Sequence, residues 1–244
     1  MKAKKRIEKK RKNNFLKEQY IQSWNYIKSS RNFIWGIFLI FLIFALIGFF
    51  VPAPDFLSKQ IFDFIKDLVD RTSGMSQIEL VVFIFNNNLF ASFLGMISGF
   101  FFGIYPIIAS IGNGYLVGFV GALSVNEMGF SVLLKLLPHG IFELPAVFIS
   151  LGLGIKFGTS FFVLIIDFFK YYYKRKEIFF IILGILLFPL FILLFYGFSF
   201  DLRSFNKRKF SNTFWNSIRV FIFVVLPLLI IAAIIEGILI SFLV

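Results

Sequence analysis

The sequence has no cysteine and a single histidine among its 244 residues. The first absence excludes disulfides, thiolate catalysis and cysteine-based metal sites. The second leaves too few imidazoles for a typical zinc ligand set. Charge is scarce as well: Asp, Glu, Lys and Arg make up 16% of the chain, against about 25% in a soluble domain. There is no P-loop lysine motif, no dinucleotide-binding glycine pattern after a strand, and no nucleophile motif beside the histidine. No enzyme chemistry and no cofactor are therefore expected. Short alternating strands are also missing, which argues against a β-barrel.

What remains is apolar. Hydrophobic residues make up 59% of the chain, and 39 residues are phenylalanine. Uncharged runs such as Phe33 to Val51 and Val220 to Ile235 have the length that crosses a hydrocarbon core, which takes about 17 to 25 residues as a helix. The expected fold class is all-α: a polytopic membrane helix bundle with six or seven transmembrane helices, some of them broken or re-entrant. The spans predicted are 33–51, 79–104, 107–125, 131–155, 178–198 and 218–243. Residues 33–244 then form one integral membrane domain.

The positive charge is unevenly placed. Residues 1–32 hold eleven Lys or Arg and two Glu. Such a block before a first span fits the anionic cytoplasmic leaflet, at about 1 kcal/mol per basic residue. No aromatic-basic recognition module accompanies it, so nucleic acid is not an expected partner. The first apolar run ends in Val51-Pro52-Ala53-Pro54, with no small-residue cleavage site, and reads as a retained anchor in the cell membrane. Between the first two spans, Leu57, Ile61, Phe64, Ile65 and Leu68 repeat at helical spacing, with Lys59, Asp63, Lys66, Asp67 and Asp70 opposite. Residues 54–71 therefore read as an amphipathic helix, outside the cell, on the membrane surface or against a partner. Basic-residue counts place the N-terminus in the cytoplasm. Six simple spans put Lys170, Lys174, Arg175 and Lys176 inside but leave the basic 199–219 loop outside. Counting Thr159 to Phe169 as a seventh, short membrane entry reverses both placements. The two clusters cannot both be satisfied this way.

Glycine is concentrated in the middle, with 12 of 18 between Gly95 and Gly158. Ala91, Gly95, Gly99 and Gly103 are spaced by four, and Gly114, Gly118 and Ala122 repeat the pattern. Small residues at this spacing allow close helix packing in lipid, and a backbone-lined permeation path is the alternative. Polar residues punctuate the same region at Asn86-Asn87-Asn88, Gly112-Asn113-Gly114 and Pro138-His139-Gly140. The last two read as interruptions of the third and fourth spans, tolerated where the freed backbone meets protein or water.

Asn87 and Asn88 followed by the glycine stripe, then Pro106, Asn113-Gly114 with Gly118, and His139-Gly140-x-x-Glu143-Leu144-x-Ala146 resemble the stage II sporulation protein M family. Ala232, Ala233, Ile235 and Glu236-Gly237 are similar to that family's closing helix. The resemblance covers roughly 20–158 and 203–243, leaving 159–200 as an insertion relative to the compact pattern. It implies a membrane assembly component, whose namesake works in engulfment with peptidoglycan-degrading proteins in spore formers.

His139, Glu143, Asp167 and Glu236 lie in apolar segments, where an ionised side chain costs about 2.5–3.5 kcal/mol at a helix centre. His139 and Glu143, four apart, share a helix face. Glu143 would also gain from the positive end of a helix restarting after Gly140. Three readings stay open: a polar clamp of Glu143 with His139 or Asn113, an ion or proton relay through Glu143 and Glu236, and a metal site of His139, Glu143 and Glu236. The expected functions are a non-enzymatic scaffold with membrane-protein partners or a second copy of itself, a channel or secondary transporter, or, weakly supported, an intramembrane hydrolase.

Overall fold

The computed structural model describes residues 2–100, 102–174 and 207–243, and every regular element among them is helical. The basic N-terminal segment forms α1 (Lys2–Ser29), followed after Ser30 by α2 (Arg31–Phe50) and α3 (Asp55–Thr72). The chain continues through α4 (Gln77–Ile97), α5 (Ile104–Met128) and α6 (Ser131–Lys174). The last stretch is α7 (Lys207–Val220), a π turn (Phe221–Val225) and α8 (Leu226–Leu243). Among the described residues, five helical stretches are long and apolar enough to cross a membrane: Arg31–Phe50, Gln77–Phe100, Ile104–Met128, Gly140–Lys170 and Lys209–Glu236. They answer to five of the six predicted spans. The sixth, 178–198, lies outside the described residues.

Local chemistry sets the helix ends. Pro54 precedes α3, which carries Asp55 in its first turn and Arg71 in its last, each complementing the helix dipole. Ser76 opens α4 as a capping box: its hydroxyl accepts from the Glu79 N–H, and the Glu79 carboxylate accepts from the Ser76 N–H at 2.7 Å. A 3₁₀ turn at Ser98–Phe100 closes α4, and Phe102 and Gly103 both turn with positive φ, at 57° and 74°. Phe102 is held in this unfavourable geometry against the rings of Phe161 and Phe162 on α6. Pro106 then falls in the first turn of α5, where its missing N–H has no intrahelical partner to lose.

Two parallel helix pairs build the bundle. On α2 and α5 the register is constant. Ser110 Oγ donates to the Ile37 carbonyl at 3.0 Å, Gly114 lies on the Phe41 carbonyl, and Gly118 lies on that of Ala45. Where α4 and its closing turn cross α6, Gly95 meets the Leu151 side chain, Gly99 meets the Gly154 carbonyl, and Gly158 meets the Gly99 carbonyl and the Gly103 N–H. These directions alternate along the chain: α2 leads away from the N-terminal end, α4 returns, α5 leads away and α6 returns. The two buried clusters share α6. Ile37 and Phe41 of α2 pack on its Phe148 and Leu151, while Met96, Val220, Val225 and Leu229 pack on its Ala146 and Leu153. At the far end α3 touches the bundle through the buried Ile61 and a Phe62–Phe119 ring contact, leaving Phe56 and Phe64 exposed.

Three expectations are corrected. Gly112-Asn113-Gly114 and Pro138-His139-Gly140 interrupt nothing: α5 and α6 run through both. An interior glycine costs a helix only about 1 kcal/mol, and a broken backbone at lipid depth costs far more. The departures from α geometry lie at the Ser98–Phe100 and Phe221–Val225 turns instead. Secondly, Thr159 to Phe169 is no separate membrane entry but the continuation of the 44-residue α6. Thirdly, the conflict between basic clusters dissolves. α7 packs on α1 and on the stretch of α6 beyond Lys156, so its cations share the N-terminal end with Lys170.

Candidate functional site

The sequence-predicted residues divide by environment. The glycines Gly95, Gly99, Gly103, Gly114 and Gly118 all lie in helix crossings. A Cβ on Gly95 would meet the Leu151 side chain at 2.5 Å, and one on Gly103 would meet the Ile155 backbone at 3.3 Å. Their counterparts Gly48, Gly152, Gly154 and Gly158 were not singled out, because spacing on one helix does not reveal which residues face it. A Cβ on Gly152, for instance, would lie 2.8 Å from the Ile34 backbone of α2.

The amides behave differently. Asn113 is exposed, and its side chain donates to the Ala109 carbonyl of its own helix at 2.8 Å instead of bridging to Glu143. Asn88 is half-buried on α4, while Asn86 and Asn87 are exposed at the middle of the same helix. Asn86 lines an open groove of about 540 Å³, otherwise apolar, with Leu89, Phe90 and Phe93 on one wall and Phe221, Ile222 and Leu226 on the other. The second wall is the π turn and the start of α8. One extra residue per turn widens the helix there, a distortion often found at functional sites.

Glu143 and Glu236 are both half-buried, on α6 and α8, and both engage other groups of the protein. Glu143 is the thirteenth residue of α6, so the helix-start stabilisation expected for it does not operate. His139 is on the same helix, and its side chain lies outside the described set. Among the described residues no three His, Asp or Glu side chains come together as a metal site.

A polar seam at the N-terminal end of the bundle escaped the sequence reading. Lys156 of α6 donates to Ser30 Oγ at 2.8 Å and to Ser29 Oγ at 3.0 Å, and its ammonium lies 3.9 Å from the centre of the Tyr26 ring. Tyr26 in turn donates to the Thr213 carbonyl at 3.3 Å, and Thr213 shares a hydrogen bond with Ser160 at 3.2 Å. Burial pushes the Tyr26 phenol above its usual range, so it stays a neutral donor. Further along α1, Arg219 of α7 donates to Gln19 at 2.8 Å and to Asn216 at 2.6 Å. The seam fastens α1 to α6 and α7. The signal was available: Lys156 is a lone cation in an apolar run, between Ile155 and Phe157.

Apolar helices of spanning length, crossing on glycines with lipid-depth polar groups between them, define a multi-pass helical membrane protein. Residues 37–239 match the family described as Stage II sporulation protein M, and the chain belongs to that family. It is also similar to an uncharacterized protein of Methanocaldococcus jannaschii, at 39% identity over 75 residues. That match takes in 30% of this chain and 42% of the archaeal protein's length. No solved structure matches the chain.

Proposed function

We propose that this protein is a non-enzymatic scaffold of the cell membrane that organises other membrane proteins, in envelope or membrane remodelling. The observation that carries the reading is the exposed amide pair Asn86–Asn87 at the middle of a spanning helix. Among the described residues neither amide has a hydrogen-bond partner. An amide left unpaired in an apolar medium costs about 4–8 kcal/mol, so a second transmembrane chain that supplies polar partners is favoured at this face. The glycine crossings support the same reading, since backbone packed on backbone makes a rigid platform. The family name speaks of stage II of sporulation. For this chain the proposal is the broader assembly role, with the basic N-terminus on the cytoplasmic side against anionic lipid and no role in nucleic-acid binding.

The alternative, a channel or secondary transporter, draws on Glu143 and Glu236, half-buried on the adjacent helices α6 and α8. The experiment for the scaffold is a photo-crosslinking residue at Asn86, irradiated in native membranes. A discrete adduct to one membrane protein, abolished by Asn87→Leu while the chain stays folded, is the expected result. A residue at Asn86 that crosslinks only lipid would end the proposal.

A further inference from the structure

The seam at the N-terminal end holds two half-buried cations with neutral partners only. Among the described residues no carboxylate lies within ion-pair distance of Lys156 or Arg219. Ser29 and Ser30 each donate their hydroxyl to the Tyr26 carbonyl, at 2.8 and 2.7 Å, so towards the Lys156 ammonium they can only accept. They take two of its three protons. Among the described residues the third N–H has no oxygen acceptor, and the charge meets only the face of the Tyr26 ring and no anion, in a partly dehydrated place where an unmatched charge is costly.

The depth of that place narrows what can match it. All three tryptophans are exposed and lie at this end: Trp24 late in α1, Trp35 one turn into α2, and Trp215 on α7. Exposed tryptophan marks the boundary between hydrocarbon and headgroup. Lys156 is bonded to the joint between α1 and α2, about one and a half turns from Trp35 and from Trp24, and so sits at headgroup level. The anion always present there is phosphate. It makes short, charge-assisted bonds to an ammonium, about twice as strong as neutral ones.

We propose that Lys156, on its base of Tyr26, Ser29 and Ser30, binds the phosphate of one anionic lipid in a stoichiometric site. This is distinct from the diffuse attraction of the basic N-terminal block. It rests on the membrane-spanning fold and not on the scaffold role, so either proposal can fail without the other.

The test uses the full chain in detergent, with phosphatidylglycerol, phosphatidylcholine or inorganic phosphate added. Native mass spectrometry counts retained lipid, and thermal melting reads the stabilisation. Wild type should retain one phosphatidylglycerol and melt higher with it than with phosphatidylcholine. Lys156→Gln should weaken that retention about tenfold or more, whereas Lys156→Arg and the exposed-site control Lys17→Gln should keep it. Equal retention by wild type and Lys156→Gln overturns the site, as does a wild type indifferent to the two lipids. Inorganic phosphate that reproduces the whole stabilisation overturns the lipid assignment in favour of a soluble phosphate. Should Lys156→Gln fail to fold, the wild-type lipid comparison and the Lys156→Arg variant still decide.

Discussion

Gly99, in the 3₁₀ turn that closes α4, and Gly154 of α6 meet with nothing between their backbones: a Cβ on Gly99 would fall on the Gly154 carbonyl. Gly154 is in the same position, with the Gly95 carbonyl 2.5 Å from where its own Cβ would lie. The crossing is therefore closed from both sides, and the neighbouring atoms are backbone that cannot swing aside.

Gly99→Ala should consequently cost about 1–3 kcal/mol or more, as overpacking does when the neighbour cannot yield. Gly36 has nothing within 4 Å of its Cβ position, so Gly36→Ala should be neutral or gain up to about 1 kcal/mol in helix propensity. Melting temperature and monodisperse yield in detergent compare the two. Equal behaviour would remove the α4–α6 crossing as a determinant of the fold.

Ser110 offers a gentler probe of the other crossing. Its buried hydroxyl donates to the Ile37 carbonyl of α2 at 3.0 Å. Ser110→Ala removes one interhelical bond, worth about 0.6 kcal/mol on average in membrane bundles. Gly118→Ala, which drives a methyl into the Ala45 carbonyl, should lower the melting temperature far more. The reverse order would mean that the hydroxyl, not the glycine, fixes the parallel register.

Topology can be read with introduced cysteines, since the chain has none of its own. Gln60 is exposed on α3 at the far end, and Asn212 is exposed on α7 beside α1. Gln60→Cys should react with an impermeant maleimide in intact cells, and Asn212→Cys only after lysis. Labelling of both in intact cells would contradict the alternation of helix directions. Labelling with the order reversed would invert the orientation.

Glu143 separates scaffold from transporter. If it serves only as an acceptor for neighbouring donors, Glu143→Gln keeps part of that role, and Glu143→Ala leaves donors unpaired at about 1–3 kcal/mol each. Alanine should then melt clearly lower than glutamine, with no proton or ion flux in wild-type proteoliposomes. A wild-type flux that vanishes in a stably folded Glu143→Gln would establish the transporter instead, with Glu236→Gln behaving likewise.

Much of this architecture was legible in the sequence. Uncharged runs fix where spanning helices lie, because lipid leaves the backbone no other way to satisfy itself. The four-residue spacing of Gly95, Gly99 and Gly103 marked a closely packed stretch, but not one helix face: α4 stops at Ile97, Gly99 lies in the 3₁₀ turn, and Gly103 is the left-handed residue before α5. Nor could the spacing show that Gly154 and Gly158 receive them, since the choice of partner depends on the whole bundle. The Ser76-x-x-Glu79 start of α4 was written in the sequence and overlooked beside the stronger hydropathy signal. α1 was hidden by its own charge, which covers the first turns and leaves no apolar stripe at its start. Lys156 acquires its meaning from Ser29 and Ser30, more than 120 positions away, and no local pattern announces such a pairing.

The length of α6 has a mechanical consequence. Its 44 residues amount to about 66 Å of unbroken helix, roughly twice the hydrocarbon thickness of a bilayer. The glycines that lock the bundle, Gly152, Gly154 and Gly158, and the aromatic rings that hold α7, Phe157 and Phe161, sit on one strut with no joint between them. A helix transmits bending and rotation along its axis where a loop would absorb them. The contacts with α7 and the glycine contacts deeper in the bundle are therefore made by the same helix, with no loop between them to absorb a displacement.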